Sequence, residues 1–180
     1  MNRGLFVVSV SLLASACVTV SDSENFSFAN VTSISATTDK GRIDYTGRDT
    51  AIDTDVKITS WARAAGRKKA QTKQSENRYS ADAVGGVLTV TGDTSFEQAG
   101  VDFDITGPSD MNLSLENGAK PIYVRSVIGI ADIVGASVTL EDYEGDATVT
   151  SYGDALIDVY PFEEGVIDIY SESGNCIVYL

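Results

Sequence analysis

The sequence predicts an all-β protein: a β-solenoid (flattened β-helix) of short strands, with an antiparallel β-sandwich as the alternative arrangement of the same strands. Three observations lead there. From Asn117 onward the chain divides into short, β-rich segments cut by glycine, among them PIYVRSVIG, SVTLEDYEG, DATVTSYG and VIDIYSESG. Within each segment apolar residues alternate with polar ones, the period of a strand with one buried face. Gly118, Gly135, Gly153 and Gly174 are 17, 18 and 21 residues apart, which suits a repeating coil of two strands.

The elements follow in chain order. Arg3 precedes an apolar run from Leu5 to Leu13, and the small residues Ala14, Ser15 and Ala16 lead into Cys17. This is the layout of a secretory signal, too short to cross a bilayer core of about 30 Å. The stretch Leu13-Ala14-Ser15-Ala16-Cys17 resembles the lipobox of bacterial lipoproteins, in which the cysteine thiol takes a diacylglyceryl group before cleavage. The resemblance implies a signal peptide over 1–16 and a lipid-anchored chain that begins at Cys17. It also implies a bacterial envelope location, and the outer membrane in a Gram-negative cell, because Val18 rather than Asp follows the cysteine. Residues 17–25 read as the lipidated cysteine and a polar tether, and 26–180 as one domain.

In that domain SFANVTSISATTDKGRIDYTG reads as two strands around an Asp39-Lys40-Gly41 turn, and TAIDTDVKITSWA as a third. The charged stretch after it lacks β-branched alternation, and Ala64, Ala65, Ala70 and Gln71 support a short helix near 62–76. Strands resume at GGVLTVTG, VDFDITGP and MNLSLENG. Parity then assigns faces. Val138 and Leu140, Ala147 and Val149, Ala155 and Ile157, Ile167 and Ile169, and Cys176 and Val178 share the buried side. The opposite side carries Tyr143, Tyr152, Tyr160, Tyr170 and Tyr179. Corner dipeptides Gly145-Asp146, Gly153-Asp154 and Gly174-Asn175 supply positive φ and a side chain able to bond nearby backbone.

The order of a strand pair with a DKGRI turn, a charged insertion, a GGVLTV strand and ITGPSDMNLSLENG resembles the putative-adhesin family of bacterial β-helical domains. The likeness covers about residues 26–180. It implies a β-helical fold and a surface-binding role, and it carries no catalytic residues.

Composition narrows the chemistry. There is no histidine, which removes the commonest general base and metal ligand together. No GxSxG, Walker A or HExxH motif occurs, so the expectation is a non-enzyme without cofactor or metal. With Cys17 acylated, Cys176 has no partner, and its parity makes it an inert buried thiol. Charge is unevenly spread. Residues 101–180 carry only Lys120 and Arg125 against 15 acids, whereas Lys57, Arg63, Arg67, Lys68, Lys69, Lys73 and Arg78 crowd into 22 positions. An acidic C-terminal half repels nucleic acid, which is therefore not an expected partner. The basic stretch reads first as a solvated face.

The candidate binding strip is the tyrosine column with the acids beside it, Glu141, Asp158 and Asp168. Tyr143, Tyr160 and Tyr179 are spaced by 17 and 19 residues, and Tyr152 and Tyr170 by 18. Aromatic faces stack on the CH faces of sugars, and carboxylates accept from hydroxyls. The same rings can instead serve only as cross-strand pairs. The density of Glu141, Asp142, Glu144 and Asp146 raises Ca²⁺, but a solvated acidic edge that deters aggregation explains it better. The functional expectation is a non-catalytic, adhesin-like scaffold that contacts the membrane through its lipid and binds polysaccharide. The alternative is an accessory or sensory domain that contacts another envelope protein.

Overall fold

The computed structural model describes residues 17–158 and 165–179. The expected signal peptide at 1–16 and Tyr160 lie outside them. Within the described residues one mixed sheet wraps around a single apolar core. One arm runs β1 (Cys17–Ala29), β4 (Asp53–Ala65), β7 (Ala99–Pro108), β3 (Ile43–Arg48) and then the second half of β8 (Asn112–Ile128). The other runs β5 (Arg78–Val84), β6 (Val87–Asp93), β2 (Ser33–Thr38) and then the first half of β8. β8 and β9 (Ala131–Glu144), 17 and 14 residues long, belong to both arms. Past β9 the arms continue separately. β10 (Ala147–Ser151) and β12 (Ile167–Ser171) extend the β6 arm, and β11 (Ala155–Asp158) and β13 (Cys176–Tyr179) extend the β4 arm. A short helix, α1 (Arg67–Gln74), covers the end of β4.

The arms face each other across the core. Ile34, Leu88, Leu115, Ile133 and Val149 from one meet Ile58, Phe103, Ile122, Leu140 and Ile157 from the other, all almost fully buried. Alternation explains this directly, since every second residue of each strand points into the wrapped sheet.

Pair direction overturns the solenoid expectation. Coils of a β-helix stack in parallel throughout, but β1–β4, β4–β7 and β5–β6 are antiparallel. β8 and β9 each run from one arm to the other, with a register shift in their pairing between Asn117 and Pro121. The result is a continuous, barrel-like mixed sheet. The all-β class holds. Two facing arms around one core come nearer to the sandwich alternative. That alternative is antiparallel, however, and among the described strands every pair other than β1–β4, β4–β7 and β5–β6 is parallel.

Local chemistry accounts for the details. Asp39-Lys40-Gly41 is a corner rather than a hairpin, because β2 and β3 lie in different arms. A Cβ on Gly41 would sit 1.6 Å from the Val101 carbonyl oxygen, so only glycine fits there. Gly85 and Gly86, at φ +61° and +85°, form the two-residue turn between β5 and β6, the twist such hairpins require. The expected tether is instead strand. From Cys17 to Asn25 the chain pairs residue by residue with Ala65 back to Lys57, its Val18 and Val20 half-buried.

Candidate functional site

The outward face of the β6 arm is read from strand register. Neighbouring strands lie about 4.8 Å apart, so paired residues form rows across the face. One row runs Thr89, Ser35, Ser114, Asp132, Thr148, Asp168. The next runs Thr91, Thr37, Glu116, Val134, Thr150, Tyr170. Tyr152 stands two residues beyond Thr150, on the diagonal from Tyr170. Both rings are open to solvent, 47% and 63% exposed. The rows supply hydroxyls and carboxylates beside two aromatic faces, on backbone fixed by the parallel ladder.

The predicted strip is thus divided. Tyr152, Tyr170 and Asp168 come together on the β6 arm. Glu141, Asp158 and Tyr179 align on neighbouring strands of the other arm, where Asp158 pairs with both Glu141 and Tyr179. Tyr179 is exposed. Glu141 accepts from Arg125 Nε at 2.9 Å, and Arg125 Nη1 donates to Asp44 at 2.7 Å, with Tyr123 beneath the guanidinium. This tie across β3, β8 and β9 was not legible as such, because nothing in the sequence puts Asp44 beside Arg125.

Tyr143 does not belong to any strip. Asp142 and Ser126 both take positive φ (54°), and these kinks lie in register on β9 and β8. Each turns the following residue inward, so Val127 and Tyr143 lie paired in the core. The Tyr143 hydroxyl lies 2.8 Å from the carbonyls of Gly129 and Asp146, able to donate to either, and burial pushes the phenol's pKa well above its ordinary value. A second correction concerns Cys176, which is exposed and not a buried thiol. Its strand is the last described on its arm, and nothing among the described residues covers its inner face.

The acids of the corners also have structural work. Asp146 and Asp154 accept from the backbone amides of Val166 and Asn175, both at 2.8 Å, and Asn112 accepts from Ile130 at 3.1 Å. Each side chain bonds the strand entry 18 to 21 residues later, not its own turn as expected. Among the described residues no three or more Cys, Asp or Glu are gathered so as to hold a metal ion, and no helix is long and apolar enough to cross a membrane.

No family model matches the chain, and no curated protein matches it. Among solved structures it is similar to a putative cell adhesion protein from Clostridium sporogenes, with 10% identity and a TM-score of 0.43 over 88% of this chain and 98% of that one. It is also similar to a putative adhesin from Parabacteroides distasonis, with 8% identity and a TM-score of 0.36 over 89% and 92%. A putative adhesin from Bacteroides fragilis follows, at 15% identity and a TM-score of 0.33 over 88% and 95%. Likenesses this distant say nothing of what this chain binds.

Proposed function

We propose that the protein is a lipid-anchored component of the bacterial envelope whose β6-arm face binds polysaccharide without catalysis, in the manner of an adhesin. One observation carries the binding reading: Tyr170 stands exposed on β12 and Tyr152 exposed just past the end of β10, beside rows of hydroxyls and carboxylates, where the core has no use for them. Sugar rings stack on such faces, and the flanking Asp168 and Thr148 suit their hydroxyls. The anchor reading rests on the residues around Cys17. The full chain in detergent, titrated against a panel of envelope and host polysaccharides, tests binding. Saturable binding lost in Tyr152→Ala/Tyr170→Ala supports the reading, and binding unaffected by that pair, or none to any glycan, refutes it. Acylation is tested separately by the mass of the Cys17 peptide from bacterial membranes.

A second reading, docking of another envelope protein, has its own observation. Val166, Ile177 and Val178 are 63%, 45% and 43% exposed at the end of the sheet, where β12 and β13 have no further partner among the described strands. Such an edge accepts an added strand.

A further inference from the structure

We infer that the end of the fold bearing Cys17 forms an electrostatic contact with anionic phospholipid head groups, made by α1 and the residues flanking it. The inference rests on the proposed anchorage at Cys17 and adds the orientation in which the domain stands.

The geometry begins with β1. Cys17 pairs with Ala65 and Thr19 with Arg63, and α1 opens at Arg67, two residues beyond Ala65. The anchoring residue and the basic helix are therefore neighbours, although 50 positions separate them in sequence. Residues 63–78 hold six basic side chains against one acid, Glu76. Arg63, Arg67, Lys68, Lys69 and Arg78 are exposed, while Lys73 is half-buried with Nζ 5.2 Å over the Phe96 ring. Asp93, opposite Arg78, Glu97, next to Phe96, and Asp22 and Glu24 of β1, which face Tyr79, offset part of this charge around Arg78. Arg63, Arg67, Lys68 and Lys69, on the segment paired with and following Cys17, keep the surplus at that end. Among the described residues none of the six basic groups enters an ion pair, whereas Arg42 and Arg125 do.

The helix holds these charges in place. Ala70 is fully buried beneath it. Just past its end, Asn77 Nδ2 lies 3.0–3.1 Å from Ser60 Oγ and the carbonyls of Trp61 and Gly100, and Gln74 Nε2 reaches the same Ser60 hydroxyl at 3.3 Å. No acid occupies the first turn. The helix buries Ala70 against the end of β4 and β1, lays Lys73 over Phe96 and turns Lys68 and Lys69 outward.

The rest of the molecule sharpens the orientation. With a net charge of −13 the chain as a whole is repelled by an anionic surface, and residues 101–180 hold 15 acids against two basic residues. Only the Cys17 end is attracted. Each Lys or Arg near such a surface strengthens association about fivefold, an effect confined to a Debye length of about 10 Å. Anchorage at Cys17 brings α1 inside that distance.

The test uses the full chain in a Cys176→Ser background, coupled through Cys17 to a trace of maleimide-bearing lipid, so that it does not depend on acylation in a cell. Vesicles of phosphatidylcholine alone are compared with vesicles containing about one third phosphatidylglycerol, and amide hydrogen exchange is followed over residues 63–78. The expected result is exchange about tenfold or more slower on the anionic vesicles, with the difference lost in Lys68→Glu/Lys69→Glu and at about 0.5 M salt. Equal exchange on both vesicles overturns the inference, as does protection that survives the double substitution. Protection by soluble polyphosphate but not by anionic vesicles also overturns it and makes the helix a polyanion site. An unmodified Cys17 peptide from bacterial membranes would refute the anchor without touching this comparison.

Discussion

Replacing Gly145 by alanine isolates the feature on which the stacking of strand ends depends. A Cβ at Gly145 would lie 2.2 Å from the Gly129 carbonyl oxygen and 3.1 Å from two further Gly129 backbone atoms, where ordinary contact begins near 3.4 Å. Relief requires the two backbones to part by more than an ångström. That displacement strains the bonds from Gly129 N to Glu144 O and from Ala131 N to Asp146 O, both 2.9 Å, each worth about 0.5–1.5 kcal/mol. Gly145 also has φ +118°, a conformation that costs other residues about 1–3 kcal/mol. Together these place Gly145→Ala at about 3–5 kcal/mol of lost stability, or a fall of about 2 M in the urea midpoint. Two controls divide the causes. Gly85 shares the positive φ (+61°) but has nothing within 4 Å, so Gly85→Ala is expected to cost about 1–2 kcal/mol. Gly118 has no positive φ, and its nearest atom is 3.7 Å away, so Gly118→Ala is expected to fall within about 0.5 kcal/mol of the parent. If Gly145→Ala costs no more than Gly85→Ala, the close backbone stack does not exist and the reasoning fails.

Further outcomes follow from other parts of the molecule. Burial raises the phenol pKa values of Tyr45 and Tyr143, so the folded state holds these protons more tightly than the unfolded chain. Their contribution is intact below the unfolded value of about 10 and is lost as pH rises above it. Urea midpoints should therefore fall as pH rises from about 10 to about 12, with a shallower fall in Tyr45→Phe/Tyr143→Phe; identical slopes would contradict the burial. Cys176 is exposed, so in a Cys17→Ser chain a thiol reagent should modify it at the rate of a free cysteine before any denaturant is added. Reaction only after unfolding would bury it. Arg125→Met leaves Asp44, with a side chain 20% exposed, without its partner, and should cost about 1–2 kcal/mol by urea titration, less at high salt. A salt-independent loss would point to packing of the arginine stem instead.

Much of the core was legible. Val138, Leu140, Ala147, Val149, Ala155 and Ile157 are buried as their parity requires, because alternation is a local property of any strand. Tyr143 was misplaced by the same rule, since Asp142 adopts a positive φ that composition does not announce and parity reverses after it. Of the expected strip, Tyr152, Tyr170 and Asp168 share a face. One step from β10 to β12 is 20 residues, so Tyr152 and Tyr170, 18 apart, stand on a diagonal and not opposite each other. Cys176 had the inward parity, but being buried also needs a covering layer, which parity does not supply.

What the sequence determined by itself is the all-β class, the strand positions, most of the inward faces and the separation of basic from acidic charge. These depend on neighbours one to four residues apart, or on composition alone. Pair direction was decided only in the tertiary structure, because a half-buried strand shows the same alternation whether its neighbour runs parallel or antiparallel. Only there did Asp39-Lys40-Gly41 become a corner, Cys17–Asn25 a paired strand instead of a tether, and Arg125 a tie between Asp44 and Glu141. The same long-range register set Cys17 beside the basic helix, a proximity that no reading of local pattern contains.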